Sequence, residues 1–335
     1  MRVFITGTAG FIGYHLADLL LAQGALVQGY DGMTDYYDVA LKQRRHQMLL
    51  QNPQFAAHEA MLEDTAALDA AIDSFAPDVI VHLAAQAGVR YSLEQPRAYI
   101  DANVVGTFNV IEAARRARVR HLLIASTSSV YGANTEMPFR ETDKADTPLT
   151  IYAATKKATE AMAHSYAHLH DLPTTMFRFF TVYGPWGRPD MALYKFTDAI
   201  LRGRPIDIYN HGEMYRDFTY VSDLVRAIAL LIDTPPVRPA DGVVPPGDSL
   251  SPVAPYRVVN IGNSQKVRLL DFIEAIETEL GRKAMRNMMD MQPGDVPATW
   301  ADAELLGRLT GYRPQTDLRT GVAAFVRWFR DYYRL

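Results

Sequence analysis

Short apolar or β-branched runs recur at Val3–Ile5, Leu26–Tyr30, Val79–Leu83, His121–Ala125 and Thr175–Phe179, and segments of helical period such as Thr65–Phe75 and Asn103–Arg116 lie between them. This alternation predicts a doubly wound parallel sheet with helices on both faces, an α/β fold. From Thr181 onward the pattern loosens. Short strands are expected around Ile206–Tyr209 and Val258–Ile261, and helices at Asp223–Ile232, Leu269–Leu280 and Thr320–Tyr332. That mixture predicts a smaller α/β lobe over the carboxyl edge of the sheet, where α/β proteins bind ligands. The expected division is residues 1–180 as the sheet domain, with about 214–232 and 256–262 returning to it, and 181–335 mainly as the lobe. Pro235–Pro255, dense in Pro, Gly and Asp, reads as a surface loop or partly disordered insertion without chemistry.

With 335 residues, 48% of them hydrophobic, there is material for such a domain and a grafted lobe. The net charge of −4 offers no basic face. The cationic clusters Lys42–Arg45 and Arg115–Arg120 are short enough to be solvated helix ends, so nucleic acid is not an expected partner. The chain has no cysteine, which removes disulfides and thiolate metal sites. Its nine histidines show no ligand spacing; His164 and His168 come nearest and fit a helix surface better, so no metal is expected. The first residues enter a glycine turn after three apolar positions, unlike a signal peptide, and no 18-residue apolar run follows. A soluble, cytoplasmic protein without membrane contact is the expectation.

Gly7-Thr8-Ala9-Gly10-Phe11-Ile12-Gly13 directly follows Val3-Phe4-Ile5 and leads into the amphipathic stretch His15–Ala22, in the order strand, glycine turn, helix. Glycines let the backbone turn sharply and approach a diphosphate, while free N–H groups and the positive end of the helix dipole face the negative charge. Gly7, Gly10, Phe11, Ile12 and Gly13 are therefore the expected cradle of a dinucleotide, and the sheet domain is expected to be Rossmann-type. Asp31 lies 24 residues past Gly7, at the end of the second apolar run. Its carboxylate can accept both ribose hydroxyls and repel a 2′-phosphate, so the expected cofactor is NAD and not NADP. A glycine-rich turn occurs in any α/β protein; the strand, the helix and the spaced acid set this one apart.

Tyr152-Ala153-Ala154-Thr155-Lys156 opens a helical pattern running to about Leu169. An i, i+4 spacing puts Tyr152 and Lys156 on one face about 5–6 Å apart. The Lys156 ammonium can then favour a Tyr152 phenolate that is scarce at the ordinary pKa of about 10. Alone, such a pair is an ordinary surface pair; after a dinucleotide turn it predicts alcohol oxidation or ketone reduction. Ser126-Thr127-Ser128-Ser129 ends the fifth apolar run, and Thr127, 25 residues before Tyr152, is placed to hydrogen-bond the substrate oxygen that loses its proton. For any single one of the four hydroxyls, a turn that satisfies its own backbone is the plainer reading.

With His82-Leu83-Ala84-Ala85, Arg178-Phe179-Phe180-Thr181-Val182-Tyr183-Gly184-Pro185 and Arg216-Asp217-Phe218-Thr219-Tyr220-Val221, these motifs resemble the extended short-chain dehydrogenase/reductase family that acts on nucleotide sugars, over nearly the whole chain except Pro235–Pro255. Within it, the runs Ala85–Ser92, Asp35–Asp38 and Gly187–Met191 most resemble UDP-glucuronate 4-epimerases. The resemblance implies an isomerase with tightly bound NAD. Tyr152 takes the proton of the sugar C4 hydroxyl while hydride passes to NAD; the 4-keto sugar turns over and takes the hydride back on its other face, giving UDP-galacturonate. It implies that Leu83, Ala84, Ala85, Asn103, Tyr152 and Lys156 contact the cofactor. It likewise assigns Ser128, Ser129, Thr181, Arg188, Arg90 and Arg216 to the UDP-sugar, Arg216 at the diphosphate, where its planar fork suits two phosphate oxygens; an arginine there equally fits a surface ion pair.

Relatives commonly carry an Asp near the adenine after the third strand. Met61 stands at that place, so Met61 and Leu62 are expected to hold the base by packing and backbone groups. The resemblance also implies a homodimer built on the helices at about Asn103–Arg116 and Tyr152–Leu169. Val104, Phe108 and Ile111, and again Met162, Tyr166 and Leu169, form stripes at helical spacing that equally fit packing on the chain's own sheet.

Sugar 4,6-dehydratases of similar sequence carry an Asp-Glu pair in the hydroxyl turn, and the related decarboxylases a Glu. Ser128 and Ser129 have no carboxyl for that acid/base work, which disfavours elimination. Thr181, where UDP-galactose epimerases carry Asn, suits a substrate carboxylate together with the short hydroxyls. The expectation is C4 epimerisation of UDP-glucuronate. A UDP-glucose/UDP-galactose 4-epimerase and a UDP-glucuronate decarboxylase are the enzyme alternatives. An NAD-sensing regulator on the same fold is the non-enzyme alternative, and it has no need of Tyr152, Lys156 and Thr127 together.

Overall fold

The computed structural model describes residues 1–335 except Pro293. Seven parallel strands form the main sheet: β1 (Arg2–Thr6), β2 (Leu26–Asp31), β3 (Phe55–Glu59), β4 (Val79–His82), β5 (His121–Thr127), β6 (Thr174–Phe179) and β7 (Tyr256–Ile261), in spatial order 7-6-5-4-1-2-3. Val3 and Ile5 enter one apolar layer and Phe4 the other. Both faces of the sheet are thus buried, which is why the central strands read as nearly continuous apolar runs.

One layer is built by α1 (Phe11–Ala22), α7 (Val221–Ile232) and α9 (Glu304–Thr310), through Leu16, Leu20, Leu224, Ile228, Leu305 and Leu306. The other is built by α3 (Thr65–Phe75), α4 (Gly106–Ala117) and α5 (Ile151–His170), through Leu68, Ile72, Val110, Ile111, Ala163 and Ala167. Thus β7, α7 and also α9, which the sequence pattern left in the lobe, are returns of the later chain to the main sheet. The lobe core joins α6 (Ala192–Leu201), α8 (Leu269–Leu280) and α10 (Leu318–Tyr333) around Phe196, Phe272, Phe325 and Phe329. Small sheets border it: Thr181–Tyr183 pairs with Phe218–Tyr220, and Tyr215–Arg216 lies between Val267–Arg268 and Ala298–Thr299.

Two elements escaped the sequence pattern. β3 is an edge strand that buries only Phe55 among its residues, so it shows no apolar run. Helix α2 (Val39–Leu49) lacks an apolar stripe because its buried residues are Leu41, Lys42, Arg45 and Leu49. The reading of Lys42–Arg45 as a solvated helix end is therefore corrected for two of its three cations: Arg44 is exposed, but Lys42 and Arg45 sit inside the fold, where they donate to neutral acceptors.

Pro235–Pro255 is an ordered surface loop seated on α5. His164 Nε2 meets Ser251 Oγ at 2.9 Å, His168 Nδ1 donates to the Val253 carbonyl at 2.8 Å, and Ala254 is fully buried. The two histidines are anchors for that loop. No helix of the described residues is long and apolar enough to cross a membrane.

Candidate active site

A cleft of about 1430 Å³ runs between the carboxyl ends of the main sheet and the lobe. At one end β1 passes through the glycine turn into α1. Gly7 has φ +82°, and a Cβ on it would lie 2.8 Å from the Ala84 nitrogen; a Cβ on Gly13 would lie 2.0 Å from the Gly7 carbonyl oxygen. Only bare backbone lets the start of α1, the end of β1 and the segment after β4 meet this closely, and the helix start thereby faces the cleft. Asp31 is positioned by its own acceptors: Oδ2 receives the Ala9 N–H and Oδ1 the Met33 N–H, each at 2.9 Å. Gly10, Phe11, Ile12, Asp31, Met61, Leu62, Leu83, Ala84 and Ala85 all line this end. A cradle that any Cβ would fill, beside a carboxylate at the end of β2, fits a dinucleotide with free ribose hydroxyls.

Asn103 is the expected cofactor residue that does not reach the cleft. It is fully buried in a π-helical turn, Ile100–Val105, that precedes α4. Its Oδ1 accepts the Gln86 N–H at 2.8 Å, and its Nδ2 donates to Gln86 O at 3.0 Å and Thr155 Oγ1 at 3.1 Å. These bonds tie the segment after β4 to the first turns of α5, so Asn103 supports the cleft wall from behind.

In the middle of the cleft Thr150 caps α5 by accepting the Ala153 N–H at 3.2 Å, and Tyr152 and Lys156 follow on one face. The Lys156 ammonium donates to the Ala125 carbonyl at 2.9 Å. Burial lowers its pKa to about 8, with Glu160 opposing the shift. Burial raises the pKa of Tyr152, and the groups that oppose this are the Thr127 hydroxyl, in hydrogen-bonding contact, and the nearby Arg188 charge. Tyr152 and Lys156 thus share the expected face of α5, with the Lys156 ammonium held by the Ala125 carbonyl. Thr127 Oγ1 accepts the Ser129 N–H at 3.1 Å, and Thr127, Ser128, Ser129 and Thr181 line the cleft together.

Toward the lobe, Arg188 makes a two-pronged pair with Asp190, whose Oδ2 also accepts from Tyr36 Oη at 3.2 Å. Burial acts against both charges, but the pairing holds the Asp190 carboxyl below the usual carboxylate range. At the far end Arg216 donates to the Tyr215 carbonyl at 2.8 Å, and Arg90 reaches Asp295 at 3.1 Å and stacks over the Tyr209 ring at 4.3 Å. Two cations around a single carboxylate leave this end electropositive, as a diphosphate requires. Sequence reading missed Asp190, Tyr36 and Asp295 as site residues, and it missed Glu160, which binds Ser126 Oγ at 2.7 Å behind the hydroxyl turn. Glu160 had one signal: it lies four residues past Lys156, on the same helix face.

A family model described as the NAD dependent epimerase/dehydratase family matches residues 3–244. The chain belongs to this family. It is 58% identical, over 100% of its length and 98% of the other, to the probable UDP-glucuronate 4-epimerase of Rhizobium meliloti (strain 1021). It is 43% identical to UDP-glucuronate 4-epimerase 2 of Arabidopsis thaliana, over 100% of this chain and 77% of that protein. Among solved structures it is similar to the Bacillus cereus UDP-glucuronic acid 4-epimerase in complex with UDP-glucuronic acid and NAD, with a TM-score of 0.88 and 31% identity over 99% of this chain and 100% of that one. The turn of this epimerase/dehydratase family member tolerates no Cβ at Gly13. Gly13→Ala should weaken NAD binding by about tenfold or more, read as loss of NAD from the supernatant after the purified protein is denatured. Recovery of NADP from the wild type would contradict the role given to Asp31.

Proposed function

We propose that this protein is an NAD-dependent UDP-glucuronate 4-epimerase that inverts C4 to give UDP-galacturonate, with Tyr152, Thr127 and Lys156 as its catalytic set. The observation that carries the reading is the hydroxyl turn: Thr127, Ser128 and Ser129 line the same cleft as Tyr152 and Thr181, and the turn holds no carboxylate. The names of the relatives at 58% and 43% identity support the same activity. Bound NAD supplies the hydride acceptor and donor. Tyr152 takes the proton from the C4 hydroxyl and returns it, with Thr127 fixing the phenol and Lys156 holding its charge close behind. The electropositive pair Arg216 and Arg90 receives the diphosphate, and Arg188 faces the sugar between them and Tyr152.

Oxidation at C4 of a glucuronate makes a β-keto acid, which loses CO₂ when its carboxylate bond aligns with the carbonyl π system. An epimerase must hold that carboxylate out of alignment. Short donors at Thr127, Ser128, Ser129 and Thr181 do this without an acid that would assist the loss. We also propose a cytoplasmic homodimer. Support for the dimer comes from α4 and α5, which lie in one layer and leave Phe108 42% and Leu169 70% exposed, whereas Ile111 of the expected stripe is fully buried in the chain's own core.

Incubation with UDP-glucuronate, with C4 and C5 configuration followed by NMR, should show UDP-galacturonate and little 4-keto-pentose; interconversion of UDP-glucose and UDP-galactose alone would refute the acid substrate. Tyr152→Phe should lower turnover by about 10² to 10⁴ with little change in UDP-sugar affinity. Thr181→Ala or Ser129→Ala should raise the decarboxylated fraction as seen by mass spectrometry. Each lost hydrogen bond to a charged group is worth about 1.5–3 kcal/mol, a ten- to hundredfold change in product ratio. Sedimentation at micromolar concentration should give twice the 37.5 kDa chain mass; a monomer would remove the dimer.

A further inference from the structure

One cation that the fold buries completely has no place in this chemistry. Arg45, on α2, is 0% exposed, and every partner it has is neutral. A buried guanidinium without a carboxylate is costly, since it gives up hydration with no opposite charge in return. Its donors reach two carbonyls on separate segments: NH1 to Ala9 O at 2.8 Å and NH2 to Trp186 O at 2.7 Å. NH1 also donates to Tyr37 Oη at 2.9 Å, and Nε has no partner.

Each carbonyl belongs to a ligand-binding segment. Ala9 lies inside the glycine turn, and Asp31 holds its N–H at 2.9 Å. With Arg45 on its carbonyl, both peptide groups of this residue are fixed. Trp186 precedes Arg188 by two residues in a loop that sits against the lobe. Its φ of +62° is one a bulky residue adopts only where its surroundings enforce it, and its ring is wedged against Trp328 and Tyr332. A second tie runs from α1, where His15 Nε2 donates to the Pro185 carbonyl at 2.9 Å.

We infer that Arg45 is a positioning residue that couples the two halves of the cleft: it fixes the cofactor turn through Ala9 and the substrate loop carrying Arg188 through Trp186, and its unpaired charge favours an anionic diphosphate at the start of α1. This rests on the reading of the cleft given above. A ligand that orders one segment orders the other, and such coupling is reciprocal. Lysine cannot replace the residue in full, because one ammonium does not span two carbonyls held by a planar fork.

The test uses Arg45→Met and Arg45→Lys, each stripped of cofactor and titrated with NAD, with melting temperatures read with and without saturating NAD. Steady-state kinetics on UDP-glucuronate at saturating NAD follow. Arg45→Met should bind NAD about tenfold more weakly and lose much of the NAD-induced rise in melting temperature, while the stripped protein melts close to stripped wild type. Arg45→Lys keeps the charge, so its NAD affinity should stay within about threefold, yet its KM for UDP-glucuronate should rise about fivefold or more because the Trp186 tie is lost. Unchanged NAD affinity in Arg45→Met, or an Arg45→Lys enzyme with wild-type KM and kcat, overturns the inference. So does a stripped Arg45→Met protein that melts far below wild type with its NAD-induced shift intact, since that marks a purely structural strut. If wild type leaves UDP-glucuronate untouched, the substrate reading fails, and the NAD titrations still judge the tie to the cofactor turn.

Discussion

Glu160 and Arg178 form a two-pronged ion pair in which each side chain is 3% exposed, and the part of the cleft that holds Tyr152 and Lys156 depends on it. Glu160 is on α5 one turn past Lys156, Arg178 is on β6, and Ser126 at the end of β5 donates to the same carboxylate at 2.7 Å. Arg178 in turn lies 4.6 Å over the Tyr131 ring, and Tyr131 Oη donates to Asn260 Oδ1 on β7 at 2.7 Å. The helix that carries Tyr152, the hydroxyl turn and three strands are thus joined through one buried charge pair. An exposed ion pair is worth about 0–1 kcal/mol, whereas removing one partner of a buried one costs about 3–5 kcal/mol, because the other charge is left without water or counterion. Burial works against the Glu160 charge, but Arg178 and Ser126 outweigh it and hold its pKa below the usual carboxylate range. Its contribution is therefore full at neutral pH and is lost only as acid protonates the group.

The cleft distributes charge along its length in a way that suits one elongated anionic ligand beside a dinucleotide. Asp31 marks the cofactor end, and the Arg216, Arg90 and Asp295 group marks the opposite one. Between them Arg188 is paired with Asp190, so the central region carries an arginine that is already oriented. The buried Tyr152 and Lys156 are both pushed toward their neutral forms by desolvation. Thr127, Arg188 and Glu160 are the protein groups that act against this, and each is fixed by a partner outside the α5 face. Catalytic geometry here is a product of the surrounding shell as much as of the Tyr/Lys pair.

Local pattern along the chain accounts for the central strands of the sheet, its cofactor turn and the reaction class. Central strands buried on both faces write themselves as apolar runs, and a turn that admits no Cβ must be written in glycine at Gly7 and Gly13. The Tyr152/Lys156 spacing and the hydroxyls Thr127 to Ser129 are local, so their shared placement follows from one helix face and one strand end. Contacts between segments far apart in the chain have no such local signature and arise only with the packed fold. Lys42 and Arg45 read as a solvated helix end because no local pattern shows that Thr34, Ala9 and Trp186 supply their acceptors. The buried place of Asn103 behind the cleft wall has the same origin: its partners, Gln86 and Thr155, lie on other elements. The Arg188–Asp190–Tyr36 cluster and the seating of Pro235–Pro255 on His164 and His168 likewise depend on which surfaces the fold brings together. Period and spacing encode what one element does alone; the pairing of buried polar groups is fixed only when packing removes the water that would otherwise satisfy them.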